Sequence, residues 1–130
     1  MIGTYTLAKG YSDQYYKKAM QVRTLIKKDF DEAYKMVDVI LSPVSPQVAW
    51  EIGTKNDDPV FNYLADVFTI PVNAAGICAL SMPCGKKEFG KIIGKNYLGE
   101  EVTSLPIGMQ IIGPEFSEEL VCWVGKQWEK

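Results

Sequence analysis

Ile107-Gly108-Met109-Gln110-Ile111-Ile112-Gly113-Pro114 is the stretch on which the fold turns. A short apolar run closed by Gly-Pro reads as a buried strand over Ile107–Ile112. After it, Ser117 with Glu119 and Leu120 opens a last helix, and Leu120, Val121, Val124 and Trp128 mark its apolar side. Before it, residues 86–104 are polar and glycine-punctuated, which predicts an exposed hairpin with Gly94 and Gly99 as turn candidates. Cys78–Met82 reads as a second buried strand, stopped by Pro83 and Gly85.

Further towards the N-terminus, Asp58-Pro59 is a helix-start signal. A helix runs from Pro59 to about Phe68, and residues 71–76 form one further turn ended by Gly76. Residues 42–58 form a long connection. Val37–Leu41 reads as a third strand, ended by Pro43. Ser12 or Asp13 caps a helix to about Met36, and Tyr16, Ala19, Met20, Ile26, Phe30, Ala33 and Val37 recur at helical spacing. Lys17, Lys18, Arg23, Lys27 and Lys28 lie on its solvated face. A short turn over Thr4–Lys9, closed by Gly10, precedes it. Strands alternating with helices give an α/β class, a few sheet strands flanked by helices. Three strands are few for a free-standing sheet, so the unit is expected to extend a larger one or to be a piece of one.

Among 130 residues, 47% are hydrophobic and 23% charged, the balance of a globular chain. The net charge of −2 argues against broad non-specific nucleic-acid binding. No apolar run approaches the roughly 20 residues of a membrane helix, and the start is unlike a signal peptide. Cys78, Cys84 and Cys122 give no disulfide framework and no C-x-x-C, so a reducing, cytoplasmic compartment without membrane contact is expected. The chain has no histidine. That excludes Ser-His-Asp and Cys-His catalysis and histidine-ligated zinc within it.

Four places are candidates for chemistry. Gly90 to Asn96 is similar to a phosphate-binding loop, but its glycine spacing is one residue short and Asn96 stands where Ser/Thr would hold magnesium, so a basic hairpin is the better reading. Cys84 has no histidine to activate it and reads as a structural thiol. Ser81 lacks a base and reads as a strand serine bonded to the backbone. Asp66 is the most informative carboxylate: it lies in an apolar setting near a helix C-terminus, where an acid either pairs internally or faces a cation. The neighbouring Asp57-Asp58 is explained as a helix cap.

Several stretches taken together carry a resemblance. They are Gly3-Thr4-Tyr5, Val22-Arg23-Thr24-Leu25-Ile26, Asp38-Val39-Ile40-Leu41-Ser42-Pro43, Phe68-Thr69-Ile70-Pro71-Val72-Asn73, Ser81-Met82-Pro83-Cys84-Gly85 and Leu105 through Gly113. In order and over nearly the whole chain, they resemble the A subunits of glutamyl-tRNA(Gln) amidotransferases, which are amidase-signature enzymes. The resemblance implies that residues 1–130 are one C-terminal segment of an amidase-signature domain, without its catalytic N-terminal part. It implies a Ser–cis-Ser–Lys triad upstream, with lysine as base, and no catalytic residue and no metal in this chain.

One role is carried onto the chain by that resemblance. Asp66 opens an intact Asp-x-x-Thr-x-Pro-x-Asn motif with Thr69, Pro71 and Asn73, and would bind the α-ammonium of glutamine. Glutamine hydrolysis would supply ammonia to B and C partner subunits, where ATP and magnesium activate the glutamate of Glu-tRNA(Gln). This chain would supply scaffold and part of the glutamine pocket, and would be inactive alone. Two alternatives stand beside this: a fragment of another amidase-signature hydrolase of small amides, or a non-catalytic subunit-interaction module. The chain departs from the family pattern at Gly76-Ile77-Cys78, often Gly-x-Pro there, and in the long segment Lys86–Ser104.

Overall fold

The computed structural model describes residues 15–50, 59–96 and 98–129. The expected Thr4–Lys9 turn, the Ser12/Asp13 cap and the Asp57-Asp58 cap lie outside those residues. Helix α1 spans Lys17–Ala33 and strand β1 spans Ile40–Pro43. Helices α2 (Pro59–Ala65) and α3 (Ile70–Ala75) follow, then β2 (Cys78–Glu88), β3 (Gly94–Lys95), β4 (Glu101–Val102), β5 (Ser104–Gly113) and α4 (Glu118–Trp128).

The apolar run Ile107–Ile112 lies in the central strand. The main sheet has the order β1-β5-β2, with both pairings antiparallel. β3 and β4 form a separate two-stranded ribbon. Successive side chains of a strand point to opposite faces, so β5 divides its residues between two environments. Met109 stands opposite Pro43 and Met82, and Ile111 opposite Leu41 and Leu80. On that face Met82, Met109, Ile111 and Val121 of α4 form the buried core, with Leu80, Cys78 and Val124 packed against it. Gly125 permits the contact: a Cβ there would fall 2.7 Å from Leu80 Cδ2. Helix α4 also suits its own dipole, with Glu118 and Glu119 in the first turn and Lys126 in the last.

Several boundaries differ from those expected, each for a tertiary reason. β2 continues through Pro83 and Gly85, because β2 is an outer strand and the extra residue is absorbed as a bulge. Pro83 pairs with Gly108 and Gly85 with Ile107, leaving Cys84 between them. β1 begins at Ile40 rather than Val37, since turns after α1 carry the chain through Val37, whose N–H reaches the Ala33 carbonyl. α2 stops at Ala65, where bonding tightens to i→i+3, with Asp66 N to Tyr63 O and Val67 N to Leu64 O. Gly76 ends α3 as expected, in the left-handed region at φ 71°. In the ribbon, Gly99 (φ 82°) makes the turn, but Gly94 lies within β3. Trp128 does not join the core; Gly125 takes the buried position on that side of α4.

Helix α1 packs against α3, yet none of its residues is buried. Of its expected apolar face, Ile26, Phe30 and Ala33 are half-buried, while Tyr16, Ala19 and Met20 are exposed. Val22 and Leu25 are also exposed, Leu25 to 64%. Lys27 leaves the solvated set to bridge Glu115 at 3.0 Å, tying α1 to the β5–α4 turn. A half-exposed pair of this kind contributes at most about 1 kcal/mol.

Candidate functional site

The α2–α3 turn carries the motif of Asp66, Thr69, Pro71 and Asn73, and its bonds explain the spacing. The Asp66 carbonyl accepts from Thr69 N (3.1 Å), Ile70 N (3.0 Å) and Thr69 Oγ1 (3.2 Å). The Thr69 carbonyl accepts from Asn73 N (3.1 Å) and Asn73 Nδ2 (2.9 Å). Pro71 sits in the first turn of α3, where a missing N–H costs nothing. Thr69 and Asn73 thus hold the backbone without engaging the Asp66 carboxylate. Among the described residues no lysine or arginine pairs with it.

The apolar setting expected of Asp66 does not bury it: the residue is exposed. Its apolar surroundings are there, but as the wall of an open hollow. Asp66 borders a cavity of about 280 Å³ with Ala65, Thr69, Val44, Val48 and Trp50. Trp50 meets Phe61 of α2 edge-on, with centroids 5.7 Å apart, so the loop after β1 is fastened to the helix before Asp66. A larger hollow of about 590 Å³ adjoins through Val44, Ser45 and Gln47–Ala49, and is lined beyond them by Ser81 and Lys87.

The other candidates resolve plainly. Cys84 sits at the bulge, its Sγ 3.6 Å from the Ile107 carbonyl. Ser81 is exposed, and the expected bond from its hydroxyl to the backbone does not form among the described residues. Asn96 organises the β3–β4 turn, its Oδ1 accepting from Leu98 N and Glu100 N while its Nδ2 reaches Glu100 Oε2 at 2.8 Å. That is a turn device rather than a phosphate loop. Cys78 lies 3.1 Å from both the Pro114 carbonyl and Ser117 Oγ, a structural thiol. No group of three or more His, Cys, Asp or Glu that could hold a metal occurs among the described residues. None of the described helices is long and apolar enough to cross a membrane.

Sequence reading passed over Gln110. It is the one buried polar side chain among the described residues, 4% exposed. Its Nε2 lies 2.9 Å from Ser42 Oγ, 3.3 Å from the Pro43 carbonyl and 2.8 Å from the Phe68 carbonyl. Two of those partners are carbonyls, which only accept, so the amide nitrogen must face them. The available signal was a lone amide within the apolar run Ile107–Ile112, since a buried polar group demands partners.

Comparison with known proteins places the chain in a family. The Amidase family model matches residues 1–122. Across all 130 residues the chain is 50% identical to the A subunit of glutamyl-tRNA(Gln) amidotransferase from Picosynechococcus, and 48% identical to that from Shouchella clausii. It covers 24% of each of those proteins. The crystal structure of the corresponding A subunit from Thermotoga maritima superimposes with a TM-score of 0.65 at 40% identity, over 93% of this chain and 23% of that one. The chain therefore belongs to the amidase family, and throughout its length it is similar to the C-terminal part of these A subunits.

Proposed function

We propose that this chain forms part of the glutaminase subunit of a glutamyl-tRNA(Gln) amidotransferase and supplies one wall of its glutamine pocket. The complete subunit hydrolyses glutamine through an acyl-enzyme, using a serine–lysine set outside this chain. The ammonia passes to B and C partner subunits, which use ATP and magnesium to convert Glu-tRNA(Gln) to Gln-tRNA(Gln) in the cytoplasm. Asp66 binds the α-ammonium of glutamine. The observation that carries this is the Asp66 carboxylate, without a cationic partner among the described residues, bordering a largely apolar hollow on a turn that Thr69 and Asn73 brace from within. A carboxylate so placed accepts a charge-assisted bond from an ammonium and discriminates against amides that lack one.

The exposed apolar side chains of α1 and α2, including Leu25, Tyr63 and Leu64, support the scaffold part of the proposal. Exposed apolar side chains of this kind are commonly covered by further protein. The test is Asp66→Asn in the full-length subunit. In the full-length subunit the rest of the pocket closes over the bound ammonium; removing one member of a charge pair desolvated in this way costs about 2–5 kcal/mol, so kcat/KM for glutamine should fall at least about 30-fold. The isolated chain serves as the control and should give only background turnover. Wild-type efficiency in the variant, or real turnover by the isolated chain, refutes the reading.

A further inference from the structure

We infer that Gln110 is a positioning residue for Asp66, setting glutamine specificity from the middle of the central strand without touching the substrate. The inference rests on the role proposed for Asp66.

The argument starts from the cost of burying an amide. Gln110 is nearly inaccessible to water, so its N–H groups must find partners within the fold. Ser42 and Pro43 belong to β1, which already pairs with β5 along its backbone. Bonds to them add little positional information, because the ladder fixes that register. The 2.8 Å bond to the Phe68 carbonyl is different, for it leaves the sheet. Phe68 lies inside the turn between Asp66 and Thr69, and the bonds of Thr69 converge on the Asp66 carbonyl. The turn is therefore held internally by Thr69 and Asn73 and externally by Gln110. The first pair gives the turn its shape. Gln110 gives it a fixed height above the sheet.

Height matters because the pocket's other groups come from other segments. A carboxylate shifted by about 1 Å from its ammonium can cost about a hundredfold in rate. An apolar residue of similar size at 110 would keep the volume but leave the Phe68 carbonyl without its partner. The turn would then drift towards solvent, carrying Asp66 away from the substrate.

The experiment uses the assembled enzyme with its full-length glutaminase subunit. It compares kcat/KM for glutamine with that for the monoamide of glutaric acid, which keeps carboxylate and amide but lacks the α-ammonium. Asp66→Asn, Gln110→Met and the double variant are measured. Gln110→Met should lower the glutamine-to-monoamide ratio about tenfold or more, and should add little in the Asp66→Asn background, since coupled residues are not additive. Impaired folding alone would reduce both substrates equally and leave the ratio at its wild-type value. That result, with Asp66→Asn collapsing the ratio, overturns the role of Gln110 while the Asp66 reading stands. If Asp66→Asn leaves the ratio untouched, the Asp66 reading fails and this inference with it.

Gln110→Glu guards against a variant that does not fold. A carboxylate cannot donate to the Phe68 carbonyl, but a protonated carboxyl can. Its ratio, taken relative to wild type at each pH, should rise as pH falls. A flat profile contradicts the inference.

Discussion

The two faces of one sheet perform different physical tasks, although a single strand supplies both. On the α4 face, Met109 and Ile111 of β5 join Met82 and Val121 in an apolar core that holds no polar side chain among the described residues. On the opposite face, Gln110 is clamped between β1 and the Asp66 turn, and Ser81 and Gly108 line an open hollow. The first face is stabilised by burial, which is non-directional and proportional to area. The second also buries Ile112, and to that burial it adds the hydrogen bonds of Gln110, which contribute less net energy but fix direction. Period-2 alternation lets evolution adjust one face without redrawing the other.

Breaking the apolar face should have the largest effect. Ile111 is fully enclosed, at 0% exposure, so Ile111→Ala should cost about 2–5 kcal/mol by denaturant unfolding. The ratio of glutamine to monoamide turnover in whatever enzyme remains folded should stay at its wild-type value. A changed ratio would mean that the two faces are not separable.

On the polar face the expected cost is smaller. Ser42→Ala removes one acceptor from the Gln110 amide but leaves the carbonyls of Pro43 and Phe68. A loss of about 0.5–1.5 kcal/mol is expected in the same unfolding assay. A loss as large as that of Ile111→Ala would erase the contrast between the faces.

The smallest effect at neutral pH belongs to Tyr34, just past α1. Its hydroxyl is buried without a hydrogen-bond partner among the described residues. Burial, then Cys78 and Asp31, push its pKa from 10.0 up to about 12. The folded state thus holds the proton more tightly than the unfolded chain. Its contribution is fully present below pH 10 and is lost as pH rises through about 12. Tyr34→Phe removes an unsatisfied hydroxyl, so it should raise stability at pH 7 slightly, by about 1 kcal/mol at most, and make the chain less sensitive between those two pH values. Equal alkaline sensitivity of the two proteins would exclude this account.

Much of the sheet was legible because it is locally encoded. Ile107–Ile112 and Cys78–Met82 are apolar runs bounded by glycine and proline, and both lie within strands. Gly76 as a cap and Ser117 as the entry to the last helix were equally local. The continuation of β2 through Pro83 was not, because a proline is tolerated in a strand only where the ladder needs no N–H from it, and only the strand order shows that. For the candidate site, the resemblance singled out Asp66, but the openness of its surroundings depends on how the loop after β1 crosses α2. Gln110 was invisible for the same reason: two of its partners, Ser42 and Phe68, lie 68 and 42 residues away in sequence.

Those separations also order the assembly of the fold. β2 and β5 can zip together from the Asn96 turn, closing only a short loop. The Gln110 clamp must wait for two long loops to close, and their entropy is spent before its bonds are made. Its interactions therefore belong on the native side of the folding barrier. Weakening them should quicken unfolding and leave the refolding rate nearly untouched, so the clamp governs how long the native arrangement lasts once formed.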